Sequence, residues 1–320
     1  MLIGVVFPTF EIGNDPELIR SFGQAAESLG YSHIVVYDHV LGAHPDRAEW
    51  APRRGDPPFP PHTHLHPFHE AIVIMAYLAG ATTRIGLMTG VLVLPQRQTA
   101  LVAKQAAELA VLRPRGLRLG IGTGWNSVEY EALGADFESR GKVIDEQVAL
   151  MRALWAADLV EFQGKHHRVS NAGINPRPSE PIPIWFGGSS DIAIKRCARS
   201  GDGWIPLLGP GATLRQLRDR LYRHAEAEER DPGTIGTELF VNFMPGSHYA
   251  PHKSPDHQVL LAADSVRWNS KLDDIEDFGG VTHASLMTMD YGLPRPRDHV
   301  EAIRIYADAV DVAGRNDLDA

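Results

Sequence analysis

Apolar positions along the chain fall into short β-branched runs, separated by longer stretches in which they recur every three or four residues. That alternation marks strands followed by amphipathic helices. The runs predict strands at 2–8, 33–38, 85–94, 117–122, 182–187, 203–207, 239–244 and 284–289. Helical spacing fills the intervals at 15–29, 67–81, 97–112, 139–156, 190–200, 212–230, 256–277 and 297–313. Capping chemistry marks several starts, such as Asp15-Pro16 before Glu17 and Ser139 ahead of Lys142-Val143. Eight strands, each followed by a helix, predict an α/β fold closed as a (β/α)8 TIM barrel, since doubly wound sheets more often have about five to seven strands. No linker or shift in composition divides the chain, so residues 1–320 are expected to form a single domain.

Three segments exceed ordinary βα loops. One, at 40–66, is rich in Pro and His and follows the second strand. Another, at 157–181, is an insertion before the fifth strand, with a hairpin expected around Phe162-Gln163-Gly164. The third runs from Pro245-Gly246-Ser247 to Asp256. Long loops on a rigid barrel are usually lids or binding loops at its C-terminal face.

Composition narrows the function. A net charge of -9 opposes a nucleic-acid partner, whose phosphates need clustered Lys and Arg. The single cysteine, Cys197, cannot form an intrachain disulfide and, beside Ile194 and Ala198, reads as the inner face of a helix. Met1-Leu2 runs straight into a strand-like segment with no basic leader, and no apolar run approaches the ~20 residues of a membrane span. A cytoplasmic protein without a membrane partner is expected.

In such a barrel the chemistry lies at the C-terminal ends of the strands. The second strand ends in Asp38-His39, an acid beside a group that titrates near neutrality; loop capping is the plainer use of the same pair. Thr89-Gly90-Val91 interrupts an apolar run with a glycine, which marks a bulge or a close ligand approach more readily than relief of crowding. Gly120-Ile121-Gly122-Thr123-Gly124-Trp125-Asn126 is a glycine-dense exit that lacks the full dinucleotide fingerprint. Gly187-Gly188-Ser189-Ser190 opens a helix at Asp191 and is the best phosphate-binding candidate, because unpaired amides and the helix dipole favour an anion.

Taken in order, these exits resemble the luciferase-like monooxygenase family. The matching residues are Asp38-His39, Thr89 through Pro95, Val102-Ala103-Lys104-Gln105, Gly122 through Asn126 with Glu129, Arg140-Gly141, Pro181 through Gly188, and Asp202-Gly203-Trp204. The Asp-His pair is similar to that of the branch dependent on coenzyme F420. The resemblance implies a barrel that binds F420, or alternatively FMN, and a cis peptide at Gly90-Val91 backing the cofactor ring. It implies cofactor contacts at Asp38, Thr89, Gly90, Val91, Thr123, Gly124, Asn126, Gly187, Gly188 and Ser189, with His39 as catalytic proton donor or acceptor. A homodimer acting on a small organic substrate is also implied. Trp125 stands where sugar-phosphate dehydrogenases of that branch carry an acid, which opposes a glucose-6-phosphate activity.

Three other readings remain. An FMN-dependent monooxygenase would use reduced flavin and oxygen and need a separate cofactor reductase. A metal-dependent barrel hydrolase is suggested by His62, His64, His66 and His69, although the first strand ends Phe7-Pro8-Thr9 without a ligand, so no metal is expected. The last is an inactive flavin-binding protein. Ile72, Met75, Ala76 and Ala79 read as core or subunit contact. His166-His167-Arg168 reads as surface hairpin, where a basic patch would suit the polyglutamate tail of F420.

Overall fold

The computed structural model describes residues 1–44, 47, 63–113, 116–207, 213–241, 265–289, 293 and 295–316. Among them, eight parallel strands close into a barrel. In chain order the strands are β1 Leu2–Val6, β2 His33–Val36, β3 Gly86–Thr89, β4 Leu92–Val93, β5 Leu117–Gly122, β6 Val160–Gln163, β7 Arg168–Ala172, β8 Ile184–Gly187, β9 Gly203–Ile205, β10 Gly236–Val241 and β11 His283–Leu286. The ring runs β1-β2-β3-β5-β8-β9-β10-β11 and closes where Val5 pairs with Leu286. All eight expected strands are therefore present in a (β/α)8 barrel.

Period-two alternation builds two cores. Val5, Ile34, Val36 and Leu87 face the surrounding helices, whereas Val6, Val35 and Met88 face the barrel axis with Trp185, Ile205 and Met289. Ile72, Met75 and Ala79 are buried in the outer core, as is Cys197.

Four features depart from the periodic reading. The run 85–94 stops at Thr89, because the chain steps sideways and Leu92 and Val93 pair with Ile121 and Gly122 of β5. Ser139 begins its helix without a side-chain cap, its hydroxyl being turned back to Asp136 O. Asp15 does cap, accepting from Glu17 N at 3.0 Å. A short helix, Ser127–Ala132, was not expected. The insertion does form its hairpin, β6 with β7. Its turn is held by Glu146, which accepts from the amides of Lys165, His166 and His167. His167 is pinned between Glu146 and Thr99 rather than free on the surface. The segment 245–256 and residues 256–264 of the seventh helical run lie outside the described residues, as does most of 40–66.

The base of the barrel, where the strands begin, is polar inside. His33 Nε2 lies 3.1 Å from Glu238 Oε2 and 2.9 Å from Ser285 Oγ. Arg118 Nη1 reaches Glu238 Oε2 at 3.3 Å, with its guanidinium over the Trp185 ring. Burial pushes the Glu238 carboxyl up, but His33 and Arg118 outweigh it and bring it to about 2. Burial and Arg118 push His283 down to about 3 and move His33 in the same direction; at the other end of the barrel, where its ring bonds Thr288 beyond β11, burial takes His299 to about 4.

These histidines are neutral in the folded chain near pH 7. The unfolded chain binds their protons near 6.5, so stability is lost as pH falls below that value. His283 and His299 each account for roughly 2 kcal/mol of loss near pH 5, and Glu238 adds to it only at still lower pH. Thermal melts are expected to show a lower Tm at about pH 5 than at about pH 7.5; equal values would contradict this account of the buried histidines.

Candidate active site

At the opposite, C-terminal end the glycines at the exits of β5 and β8 make room for one bulge. Gly90-Val91 is a cis peptide, and Gly90 N donates to Val36 O at 2.8 Å. The Val91 side chain lies across the barrel mouth, such that a Cβ at Gly122 or Gly187 would stand 2.6 or 2.8 Å from it. Gly124, at φ +62, likewise sits against Val93. The glycine-dense exit of β5 is thus first of all the seat of the bulge. Thr89 is fully buried and its hydroxyl donates to Gly120 O at 2.7 Å, fastening β3 to β5.

Asp38 lies behind this bulge, with its side chain wholly buried. Oδ2 accepts from Val93 N at 2.9 Å and Oδ1 from Arg97 Nη2 at 2.6 Å. Arg97 also reaches Glu70, whose side chain caps the next helix through Val73 N. Burial pushes the Asp38 carboxyl above its ordinary value, while Arg97 and the Val93 amide pull it back. With strong donors on both oxygens it is ionised. As placed, Asp38 ties the strand segment after the bulge, through Val93, to Arg97.

His39 follows immediately and faces a different partner. Its Nδ1 lies 3.1 Å from Glu129 Oε1, which also accepts from the amides of Val40 at 2.7 Å and Leu41 at 3.2 Å. Glu129 is buried; burial alone would raise its carboxyl, but the His39 contact and the two amides bring the net value below the ordinary one. An ionised Glu129 favours the ring tautomer that carries its proton on Nδ1. Phe68 and Trp125 stand edge-on to the imidazole at 5.2 and 5.6 Å, and Phe10 stacks on Phe68. Tyr37 and Phe240 continue the aromatic lining.

Glu129 is the residue that reading the strand exits missed as a site member. Its signal was the spacing Asn126-x-x-Glu129, that of a helix cap followed by an acid at the third helical position. Asn126 is indeed the cap, accepting from Val128 N at 3.1 Å, and its amide reaches Leu41 O at 3.4 Å. Asn126 is buried in that role.

Beside the bulge opens a cavity of about 270 Å³, lined by Thr123, Gly187, Ser190, Arg140 and Arg196, with Glu138 among its walls. The helix Asp191–Ser200 begins there, so its first amides and its dipole face the space. The two serines have duties of their own. Ser189 exchanges hydrogen bonds with Leu207 O and N at 2.7 and 2.9 Å, and Ser190 caps the helix through Ala193 N. Gly188, at φ +113, accepts from Trp204 Nε1. Arg140 stacks on Phe137 and donates to its carbonyl.

The rim therefore gathers His39, Gly90-Val91, Thr123, Gly124 and Gly187-Gly188-Ser189, with Asp38, Thr89 and Asn126 behind it. The histidines weighed as metal ligands diverge. His64 stacks on His44, His66 accepts from Thr63 N, and His69 bonds Gly13 O. His62 lies outside the described residues. Among the described residues no three of His, Cys, Asp or Glu are grouped to hold a metal ion, and none of their helices is long and apolar enough to cross a membrane.

Comparison with known proteins agrees with this architecture. An uncharacterised protein of Mycobacterium tuberculosis is 37% identical over 218 residues, 66% of this chain and 73% of its own. The F420-dependent glucose-6-phosphate dehydrogenase of Intrasporangium calvum is 30% identical over 304 residues, 88% of this chain and 83% of its own. A solved F420-dependent secondary alcohol dehydrogenase, in complex with an F420-acetone adduct, superposes with a TM-score of 0.73 at 17% identity over 98% of each chain, a likeness of fold. A family model described as luciferase-like monooxygenase matches residues 2–308. This chain belongs to the luciferase-like monooxygenase family of oxidoreductases.

Proposed function

We propose that the chain is an F420-dependent oxidoreductase that moves hydride between a deazaflavin at the barrel mouth and a small organic substrate, with His39 giving or taking the matching proton. The observation that carries this reading is the meeting, on one rim, of the His39-Glu129 pair, the Gly90-Val91 bulge and the arginine-lined cradle. The relative named as F420-dependent, alike over 88% of this chain, supports the choice of cofactor.

The residues present fit such a group. The apolar Val91 bulge offers a backing for a flat ring, and the cradle, with Arg140 and the amides of the helix start, suits its phosphate. Bound there, a deazaflavin supplies hydride chemistry and reacts poorly with oxygen. The protein's own part is to place, shield and exchange a proton. Phe10, Phe68 and Trp125 keep water from the reacting atoms. Glu129 holds His39 so that Nε2 is the ring atom that exchanges a proton with substrate. Trp125, an aromatic side chain at the rim, favours an apolar substrate face over a sugar phosphate.

The second reading, an FMN-dependent monooxygenase, is favoured by the description of the family model itself. Separate spectroscopic titrations of the purified protein with F420 and with FMN distinguish them. F420 is expected to saturate one site per chain at far lower concentration; tighter binding of FMN would overturn the proposal in favour of oxygen chemistry. Arg140→Ala is expected to weaken the bound cofactor about tenfold or more through loss of a charge-assisted contact, with kcat at saturation unchanged.

A further inference from the structure

At the closed end of the barrel, away from the mouth, a cavity of about 830 Å³ lies between the C-terminal ends of the helices Arg140–Ala156 and Asp191–Ser200. Arg152, Arg177, Arg199 and Arg230 line it, against the carboxylates of Glu180 and Asp202. This is a concentration of positive charge in a chain whose net charge is -9. Trp155 and Ile182, both buried, give it an apolar lining. Its size is that of a small-molecule site.

The four guanidinium groups are held in two ways. Arg152 donates to Ser200 O at 2.8 Å and also pairs with Asp202 Oδ2 at 3.0 Å, and Arg230 donates to Ala198 O at 2.7 Å and Gly201 O at 2.9 Å, so both are anchored on the backbone at the end of the second helix. Arg199 and Arg177 instead pair with the carboxylates of Asp145 and Asp158 near the surface. Arg199 is half exposed and the Asp158 carboxylate is largely so; exposed pairs of this kind contribute little and exchange readily. We propose that the groove binds an amphipathic anion, an apolar body with a carboxylate, sulfonate or phosphate head that takes Arg177 and Arg199 from their surface partners.

Occupancy reaches the barrel mouth through one carboxylate. Asp145 Oδ1 accepts from Arg199 Nη2 at 2.9 Å and from Arg196 Nε at 2.7 Å, and Arg196 lines the cradle at the other end of the same helix. An anion that draws Arg199 away leaves Asp145 to Arg196 alone and tightens that pair. Arg196 is then less able to meet a phosphate. Linkage requires the converse: phosphate in the cradle weakens the groove by the same factor. This coupling rests on the cradle reading given under Proposed function; binding in the groove does not.

The test uses the full chain and anilinonaphthalene sulfonate, whose fluorescence reports an apolar site beside cations. One saturable site is expected. The double substitution Arg177→Met and Arg199→Met should weaken it about tenfold with an unchanged melting curve, and Trp125→Ala should leave it intact. Inorganic phosphate, whose own binding is followed by calorimetry, should raise the probe Kd about fivefold, and Asp145→Asn should abolish that effect while the probe still binds. Probe binding that ignores Arg177 and Arg199, or is lost with Trp125, belongs to the barrel mouth and overturns the groove. Phosphate that binds without moving the probe overturns the coupling. Absence of phosphate binding beside arginine-dependent probe binding tells against the cradle alone.

Discussion

His39→Ala is expected to lower turnover by about 10²–10⁴-fold while cofactor affinity stays as in the parent chain. The size follows from the loss of a positioned proton donor or acceptor, and its confinement to turnover from the placement of the residue. The imidazole is held by Glu129 within an aromatic collar and is not among the groups lining the anion cradle. Glu129→Gln should act in the same direction with a smaller loss, since the amide still accepts from Val40 and Leu41 but no longer offers a charge to the ring. Stopped-flow turnover beside equilibrium cofactor binding separates the two quantities. Unchanged kcat in His39→Ala would remove the proton-transfer role, and loss of cofactor affinity would recast His39 as a binding residue.

Arg118→Met is expected to destabilise the fold by about 3–5 kcal/mol. Glu238 has no exposed surface, and without Arg118 its charge is left with His33 as a counter-ion that is held neutral near pH 7. Arg118 is one of the groups that push His33 and His283 down, so its removal lets both take up protons more readily. The deficit against the parent chain should therefore narrow as pH falls from about 7 toward about 5. Glu238→Gln in the Arg118→Met background should recover a large part of the loss, because the buried charge goes with the carboxylate. Urea unfolding at the two pH values measures this; a deficit below about 1 kcal/mol near pH 7 would show that the ion pair contributes little.

The barrel was legible because each strand is an apolar run between turn residues, and the helices carry whole turns of apolar spacing. The helix Ser127–Ala132 is too short to show a period, and it is the element that carries Glu129 to His39. Within the apolar run 85–94, Gly90 marked a bulge or a close ligand approach, but the cis peptide at Gly90-Val91 came only from the family resemblance. The base cluster was hidden for another reason. His33, Arg118, Glu238 and His283 sit on four strands far apart in the chain, and a lone charge in a strand looks solvent-facing until the ring closes around it. Asp38 was visible as an acid at a strand exit, but its partner Arg97 lies 59 residues on, and only that pairing shows where the carboxylate is turned. The serines at 189 and 190 suggested an anion site by type; their hydroxyls tie the backbone, which leaves the amides and Arg140 to meet a ligand.

One measurement bears most directly on hydride transfer at the mouth of this barrel. Reduced F420 carrying deuterium at its hydride-donating carbon is mixed, without oxygen, with the purified protein and a panel of small ketones, aldehydes and activated alkenes. The account predicts that cofactor oxidation proceeds at the rate of product formation, with the deuterium recovered on carbon in the product and the reaction slowed in His39→Ala. No deuterium transfer to any of them, together with oxygen-dependent product formation from reduced FMN, would contradict it.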